Sequence, residues 1–267
     1  MTQLQLSKHH GLGNDFLVVF DPAVADLPEL ARSLCRRHRG IGADGLLVGT
    51  AESGFDARMV LYNADGSRAE MSGNGVRCFA QAVSFRSGGV DALRILTDAG
   101  ERLVQIARTS DPSIVMASVD MGEVAPLAEP HDWQRLGIDP MRPVSHLSLG
   151  NPHSVVATDD VAAIDLETLG RVVPHVNLEV VEAGPESHAV TMRVHERGAG
   201  ITEACGTGAC ATAWASTRWG LVTPRDGEVL VHMDGGDAIV RLDQPTPGRV
   251  TLVGPSQYIC SITVEVQ

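Results

Sequence analysis

The chain has 267 residues, 43% hydrophobic and 20% charged, which is enough apolar material for a sizeable core and excludes global disorder. A net charge of −12 argues against broad binding to phosphate backbones, so no nucleic-acid partner is expected. No run approaches ~18 consecutive apolar residues, and no basic region followed by an apolar run opens the chain, so neither a membrane span nor a cleaved signal peptide is expected.

In chain order, residues 28–37 are predicted to be helical. An alternating apolar run at 57–61 reads as a strand, and a Gly-rich turn then leads into a helix over 76–84. Runs at 103–106 and 114–119 read as strands, with a domain boundary expected at the Asp-Pro near 110–113. A helix over 161–169 and a strand at 190–194 follow. A second Gly-rich turn opens a helix over 209–219, and strands are predicted at 229–233 and 238–242. The last strand, 258–266, is expected to return to the first half, because a closed sheet needs its missing edge partner.

The chain repeats itself once. Leu12-Gly13-Asn14 reappears as Leu149-Gly150-Asn151, Met59 to Asn63 as Met192 to Glu196, and Ser72-Gly73-Asn74-Gly75 as Cys205-Gly206-Thr207-Gly208. The spacing is 137 residues for the first pair and 133 for the others, in the same order, which indicates a duplication. The fold class is therefore α+β, with two pseudo-symmetric strand-rich halves, each carrying a central helix. The N-terminal half is expected at 1–112, completed by a strand at 256–267, and the C-terminal half at 113–255.

Each repeat places a Gly-x-Gly turn at a helix start. Such a turn admits close backbone approach, and the unpaired N–H groups of the first helical turn favour a carboxylate or phosphate. The residue before the glycines is Ser72 in one half and Cys205 in the other. A helix N-terminus favours the thiolate form of a cysteine, so Cys205 is expected to act as a base or nucleophile near neutral pH. If the halves face each other, an amino acid in the cleft would have its α-carbon between Ser72 and Cys205, the arrangement needed for two-base proton transfer. Asn14 pairs with Asn151, and Asn63 with Glu196, at repeated positions, and Arg197 and Asn177 are further polar candidates.

Lys8 is the only lysine, so amino-acid chemistry here is expected to proceed without pyridoxal, which requires a lysine for its Schiff base. No cofactor is expected. The five cysteines and ten histidines form no metal-ligand spacing, so no metal is expected, and an odd cysteine count suits a reducing cytoplasm. The string Gly206-Thr207-Gly208-Ala209-Cys210-Ala211, with Asp226 about twenty residues on, satisfies a dinucleotide pattern. That reading fails on context, because a loop rather than a strand precedes the glycines.

The segments His10-Gly11-Leu12-Gly13-Asn14-Asp15-Phe16, Asn63-Ala64-Asp65-Gly66-Ser67, Gly73-Asn74-Gly75-Val76-Arg77-Cys78, Asn151-Pro152-His153, Glu196-Arg197-Gly198-Ala199-Gly200 and Ala204-Cys205-Gly206-Thr207-Gly208-Ala209-Cys210 resemble the diaminopimelate epimerase family, in family order. The resemblance implies sheets or barrels wrapped around each central helix, an active site in the cleft between the halves, a cytoplasmic homodimer, and pyridoxal-independent conversion of LL- to meso-diaminopimelate for lysine and peptidoglycan synthesis. It implies that Cys205 accepts the proton of the LL substrate, with His153 and Glu196 near the reacting centre. It also implies substrate contacts from Asn14, Asn63, Gly73, Asn74, Asn151, Asn177, Glu196, Arg197, Gly206 and Thr207.

One departure stands out. The family carries a second catalytic Cys where this chain has Ser72, and a hydroxyl is a far weaker acid than a thiol. Cys78, six residues on, lies on a different helix face and is not expected to substitute. An engineered Cys→Ser change, a natural serine assisted by neighbours or ordered water, and a paralogue with another substrate or one-base chemistry each account for it. The alternatives to diaminopimelate epimerisation are thus racemisation, 2-epimerisation or dehydration of another amino acid by a Ser/Cys pair, or a catalytically weakened substrate-binding variant.

Overall fold

The alternating apolar runs become strands because period-2 patterning gives each strand one face to bury. In the computed structural model, which describes residues 2–266, the chain divides into two compact units. Unit 1 comprises Met1–Val119 with Gly254–Gln267, and unit 2 comprises Asp120–Val253. The Asp-Pro turn near 110–113 lies inside unit 1, and the division falls after it, within a strand.

Unit 1 contains β1 (Thr2–Gly11), β2 (Asn14–Phe20), α1 (Leu27–Cys35), β3 (Gly45–Thr50), β4 (Ala57–Asn63), β5 (Arg68–Ala69), α2 (Gly73–Arg86), β6 (Ala92–Thr97), β7 (Gly100–Arg108) and β8 (Ile114–Glu123, whose last residues belong to unit 2). The last strand of the chain pairs antiparallel with β1, from Thr2 opposite Val266 to His10 opposite Gln257. Pairing continues through β2, β3, β4, β6, β7 and β8 and back to that last strand, so eight strands close a barrel. Closure leaves none of these eight with an open edge.

Unit 2 repeats the order with β9 (Ala125–Pro126), β10 (Val144–Ser148), β11 (Pro152–Ala157), α3 (Leu166–Val172), β12 (Asn177–Ala183), β13 (Ala189–Glu196), β14 (Gly200–Thr202), α4 (Gly206–Arg218), β15 (Glu228–Met233), β16 (Gly236–Leu242) and the first residues of β17 (Arg249–Val266, the last strand, which belongs to unit 1 from Gly254 on). Ten successive elements, β1 to β8 with two helices, correspond in kind and order to β10 to β17 with two helices. The parallel pair β2–β3 sets Phe16 opposite Gly45, and the parallel pair β11–β12 sets His153 opposite Asn177.

The central helices are buried on nearly every side. Residues 73–84 of α2 are all buried, and so are ten of the thirteen residues of α4. A helix enclosed by strands presents apolar or small side chains all round instead of one stripe, which is why Gly206-Thr207-Gly208-Ala209-Cys210-Ala211 suits the interior. The outer helices are amphipathic. Leu30, Ala31, Leu34 and Cys35 of α1 join one apolar cluster, and Leu166 of α3 joins another with Trp133, Leu178 and Val180.

Two predicted helix boundaries are corrected. α1 ends at Cys35, because Arg36 is extended; Asp26 caps its start by accepting the N–H of Glu29 at 2.9 Å. The helix expected over 161–169 begins only at Leu166. Asp160 accepts the N–H groups of Ala162 and Ala163, at 2.9 and 3.2 Å, which makes a turn there, and Asp165 then caps the helix through Thr168. Among the described residues no helix is long and apolar enough to cross a membrane.

Candidate active site

Ser72 and Cys205 each cap a central helix. Ser72 is extended (φ −139°, ψ 122°) and its Oγ accepts the Gly75 N–H at 3.0 Å. Cys205 has nearly the same backbone (φ −126°, ψ 112°) and its Sγ accepts the Gly208 N–H at 3.3 Å. Space is tight at both glycines. A Cβ on Gly75 would lie 3.1 Å from Ser72 Cβ, and one on Gly208 would lie 2.8 Å from Glu179 Oε1 and 3.2 Å from Cys205 Sγ. At α4 the N–H groups of Gly206 and Thr207 complete a first turn whose donors have no intrahelical acceptor.

In unit 1, Asn14 opens β2. Its amide donates to Asp44 Oδ2 at 2.7 Å, and its carbonyl accepts from the Asn74 amide at 3.2 Å. Asp44 also accepts the backbone N–H of Asp15, and Arg37 bridges Asp15 and Asp44. Lys8 completes the brace, 2.8 Å from Asp15 and donating to Gly42 O at 2.7 Å. Burial opposes ionisation of Asp15, but Arg37 and Lys8 outweigh it and hold the carboxyl below its ordinary range. The one lysine of the chain is thus a structural cation that fixes the Asn14 turn.

Asn63 lies at the end of β4, with its amide on Ser67 Oγ at 3.0 Å. Asn74 and Gly73 are buried in the first turn of α2, where Arg77 grips both by donating to Asn74 Oδ1 at 2.8 Å and to Gly73 O at 3.3 Å. Cys78 is fully buried, and burial pushes its thiol up to about 11.

Unit 2 gathers its residues more tightly. The amide of Asn151 donates to Thr207 Oγ1 at 3.2 Å, and Thr207 Oγ1 lies 3.5 Å from Cys205 Sγ. His153 contacts Asn151 Oδ1 through Nε2 at 3.0 Å and Glu179 Oε1 through Nδ1 at 2.6 Å. Asn177 ties two segments, donating to Pro152 O and accepting the Arg197 N–H, both at 2.9 Å. Glu196 accepts the Thr202 hydroxyl at 2.6 Å.

The expected acidity of Cys205 is corrected. Burial, followed by the negative fields of Glu196 and Glu179, raises its pKa well above the usual thiol value, and the Thr207 and Gly208 donors only partly oppose this. The helix end does reach the sulfur, but the thiol is more strongly affected by its desolvation and its acidic neighbours.

Sequence reading misses Glu179 and Arg77. Glu179 stands in Val176-Asn177-Leu178-Glu179-Val180-Val181, a run apolar on both sides. Leu178 and Val180 face the outer cluster, so Asn177 and Glu179 point to the α4 side by the strand's period of two. The available signal is a carboxylate inside such a run, since a buried charge needs a partner. Among the described residues no group of three or more His, Cys, Asp or Glu could hold a metal ion.

The family model for diaminopimelate epimerase matches residues 6–126 and 146–259. The chain belongs to the diaminopimelate epimerase family. The diaminopimelate epimerase of Desulfitobacterium hafniense is 37% identical over 280 residues, spanning 96% of each chain. That of Thermosynechococcus vestitus is 38% identical over 291 residues, covering 98% of this chain and 99% of its own. Solved structures share the fold at low identity. A hydroxyproline epimerase from Agrobacterium vitis superimposes with a TM-score of 0.71 at 16% identity, covering 99% of this chain and 91% of its own. A Bacillus anthracis phenazine biosynthesis protein of the PhzF family does so with a TM-score of 0.73 at 14% identity, with all of both chains covered. Within the diaminopimelate epimerase family this chain is therefore a strand-rich isomerase with serine at position 72.

Proposed function

We propose that this isomerase epimerises LL-2,6-diaminopimelate to meso-diaminopimelate by transferring the α-proton without pyridoxal, in lysine and peptidoglycan precursor synthesis. The observation that carries the reading is Cys205, capping α4 inside a chain-wide family match, with its sulfur receiving the Gly208 N–H and lying beside the Thr207 hydroxyl.

Cys205 exchanges the α-proton of the LL centre, and Ser72 takes the second acid/base role. The first-turn amides of α2 and α4 hold the substrate carboxylate and stabilise the charge that develops on it as the proton leaves. Asn14, Asn63, Asn151 and Asn177 orient the substrate, with Gly73, Asn74, Gly206, Thr207, Glu196 and Arg197 completing its contacts. His153 and Glu196 lie near the reacting centre. The substrate's α-ammonium supplies the positive charge that the buried thiol lacks, and so offsets the burial and carboxylate effects on Cys205. The enzyme works as a homodimer in the reducing cytoplasm, with a small amino-acid substrate and neither nucleic acid nor membrane as partner.

The test is incubation of LL-diaminopimelate in deuterated water followed by chiral analysis. Meso product carrying one deuterium at the inverted centre is the expected result. No label and no meso product removes the reading.

Ser72 favours a second reading, in which a Ser/Cys pair racemises, 2-epimerises or dehydrates another amino acid. A panel of amino acids screened for loss of the α-proton separates the two, since diaminopimelate should exchange fastest only under the first.

A further inference from the structure

Glu179, His153, Asn151, Thr207 and Cys205 form one unbroken chain of contacts at 2.6, 3.0, 3.2 and 3.5 Å. Its deep end is unusual. Glu179 and His153 are both fully buried, and Glu179 Oε2 has no hydrogen-bond partner of acceptable geometry. The fold does not need this pair. In unit 1 the parallel strands have the same register, and the positions matching His153 and Glu179 are Phe16 and Leu47. Leu47 lies against Gly75 as Glu179 lies against Gly208. The second unit thus carries a costly buried carboxyl where the first manages with a hydrocarbon.

We propose that Glu179 is a positioning residue: it fixes His153 with a proton on Nε2, and this sets the direction of every hydrogen bond up to Cys205 so that the sulfur is an acceptor. This rests on the reading of Cys205 as the proton-exchanging group. Burial, only partly offset by His153, pushes Glu179 above the usual carboxyl range, so the 2.6 Å contact holds a shared proton. With that proton on Oε1, the carboxyl donates to a bare Nδ1, and the neutral ring carries its own proton on Nε2, opposite Asn151 Oδ1, which can only accept. Nε2–H then donates to Asn151 Oδ1, which turns the Asn151 amide N–H toward Thr207 Oγ1. With its oxygen so engaged, the Thr207 hydroxyl points its hydrogen at Cys205 Sγ and stabilises the thiolate. With Nε2 bare, the amide would reverse, Thr207 would donate to Asn151, and Cys205 would be left as the donor, a thiol. The ionisable groups facing this chain are His153 on β11, Glu196 at the end of β13 and Cys205 at the start of α4.

Iodoacetamide alkylation of Cys205 in the full chain at about pH 8, followed on its peptide by mass spectrometry, tests this without substrate. Glu179→Leu is expected to slow alkylation about tenfold, roughly one hydrogen bond to a charged group. Glu179→Gln, whose amide N–H still donates to Nδ1, is expected to restore most of the rate. Simple charge proximity predicts the opposite, because removing a carboxyl beside sulfur should quicken alkylation in both variants. A leucine variant as fast as the parent, or a glutamine variant no better than leucine, overturns the proposal. A second arm needs no variant to fold: ¹⁵N spectra of histidine-labelled parent protein should show His153 protonated at Nε2, and a bare Nε2 overturns the proposal. Ordered alkylation without epimerase activity counts against the function alone, and activity without that order counts against the role of Glu179 alone.

Discussion

The Cys205 sulfur accepts the Gly208 N–H at 3.3 Å, yet its thiol is held well above the ordinary range. A helix end contributes a fraction of a charge, and here it meets full desolvation and two carboxyl groups. Glu196 has the larger of the two opposing effects and is only half-buried. Glu196→Gln is therefore expected to raise the alkylation rate of Cys205 about fivefold at fixed pH, with solvent screening limiting the gain. An unchanged or slower rate would mean that burial alone sets the thiol. Epimerase turnover should fall in the same variant if Glu196 also contacts substrate, so the two readouts should move in opposite directions.

Ser72 occupies a cap of the same geometry as Cys205, with nearly equal backbone angles and an equivalent contact three residues on. The site therefore accepts a thiol without rebuilding. Ser72→Cys is expected to increase kcat by about tenfold, because a thiol gives up its proton at far lower pH than a hydroxyl. Loss of activity in this variant would mean that the hydroxyl has a role of its own. Cys205→Ala is expected to abolish both exchange and epimerisation while leaving the melting curve close to that of the parent.

The alternating runs at 57–61, 190–194 and 238–242 become strands because each buries one face, and that pattern is local. The two Gly-x-Gly helix starts are local as well, so Ser72 and Cys205 stand out in the linear chain. The acidity of Cys205 does not, because it depends on Glu179 and Glu196, 26 and 9 residues upstream. The start of α3 is displaced because Asp160 takes the N–H groups of Ala162 and Ala163 into a turn while Asp165 caps the helix through Thr168, and hydrophobic spacing carries no information about which aspartate caps. Arg77 reads as a surface cation by type, yet it is buried, because Asn74 Oδ1, Gly73 O and Pro255 O surround its guanidinium.

Gly208→Ala should be more damaging than Gly75→Ala. The added methyl meets Glu179 Oε1 at 2.8 Å in the first case, and its nearest neighbour is Ser72 Cβ at 3.1 Å in the second. The carboxyl oxygen at Gly208 is held by His153 at 2.6 Å and cannot withdraw without breaking that contact. A destabilisation of about 1–3 kcal/mol is expected for Gly208→Ala from overpacking, with activity lost in proportion to the disturbance of Cys205. Urea midpoints of the two variants provide the comparison, and equal midpoints would show that the carboxyl yields freely.

His9 gives the stability of unit 1 a pH dependence. The ring is fully buried, with Nδ1 3.0 Å from Gln81 Oε1 and Nε2 2.9 Å from Ser7 Oγ. Burial lowers its pKa to about 4 from 6.5, the Gln81 contact opposes the shift, and the charge on His10 adds slightly to it. The folded state thus binds this proton less readily than the unfolded chain. The stability held in the neutral ring is complete above about 6.5 and is lost as the pH falls through that value toward 4, amounting to about 3 kcal/mol. Urea midpoints measured between those limits should fall steadily in the parent and much less in His9→Gln. The glutamine variant should lose some stability at neutral pH, because it packs the site less well, and the two curves should converge toward acid. Parallel curves would show that other groups carry the acid sensitivity of the barrel.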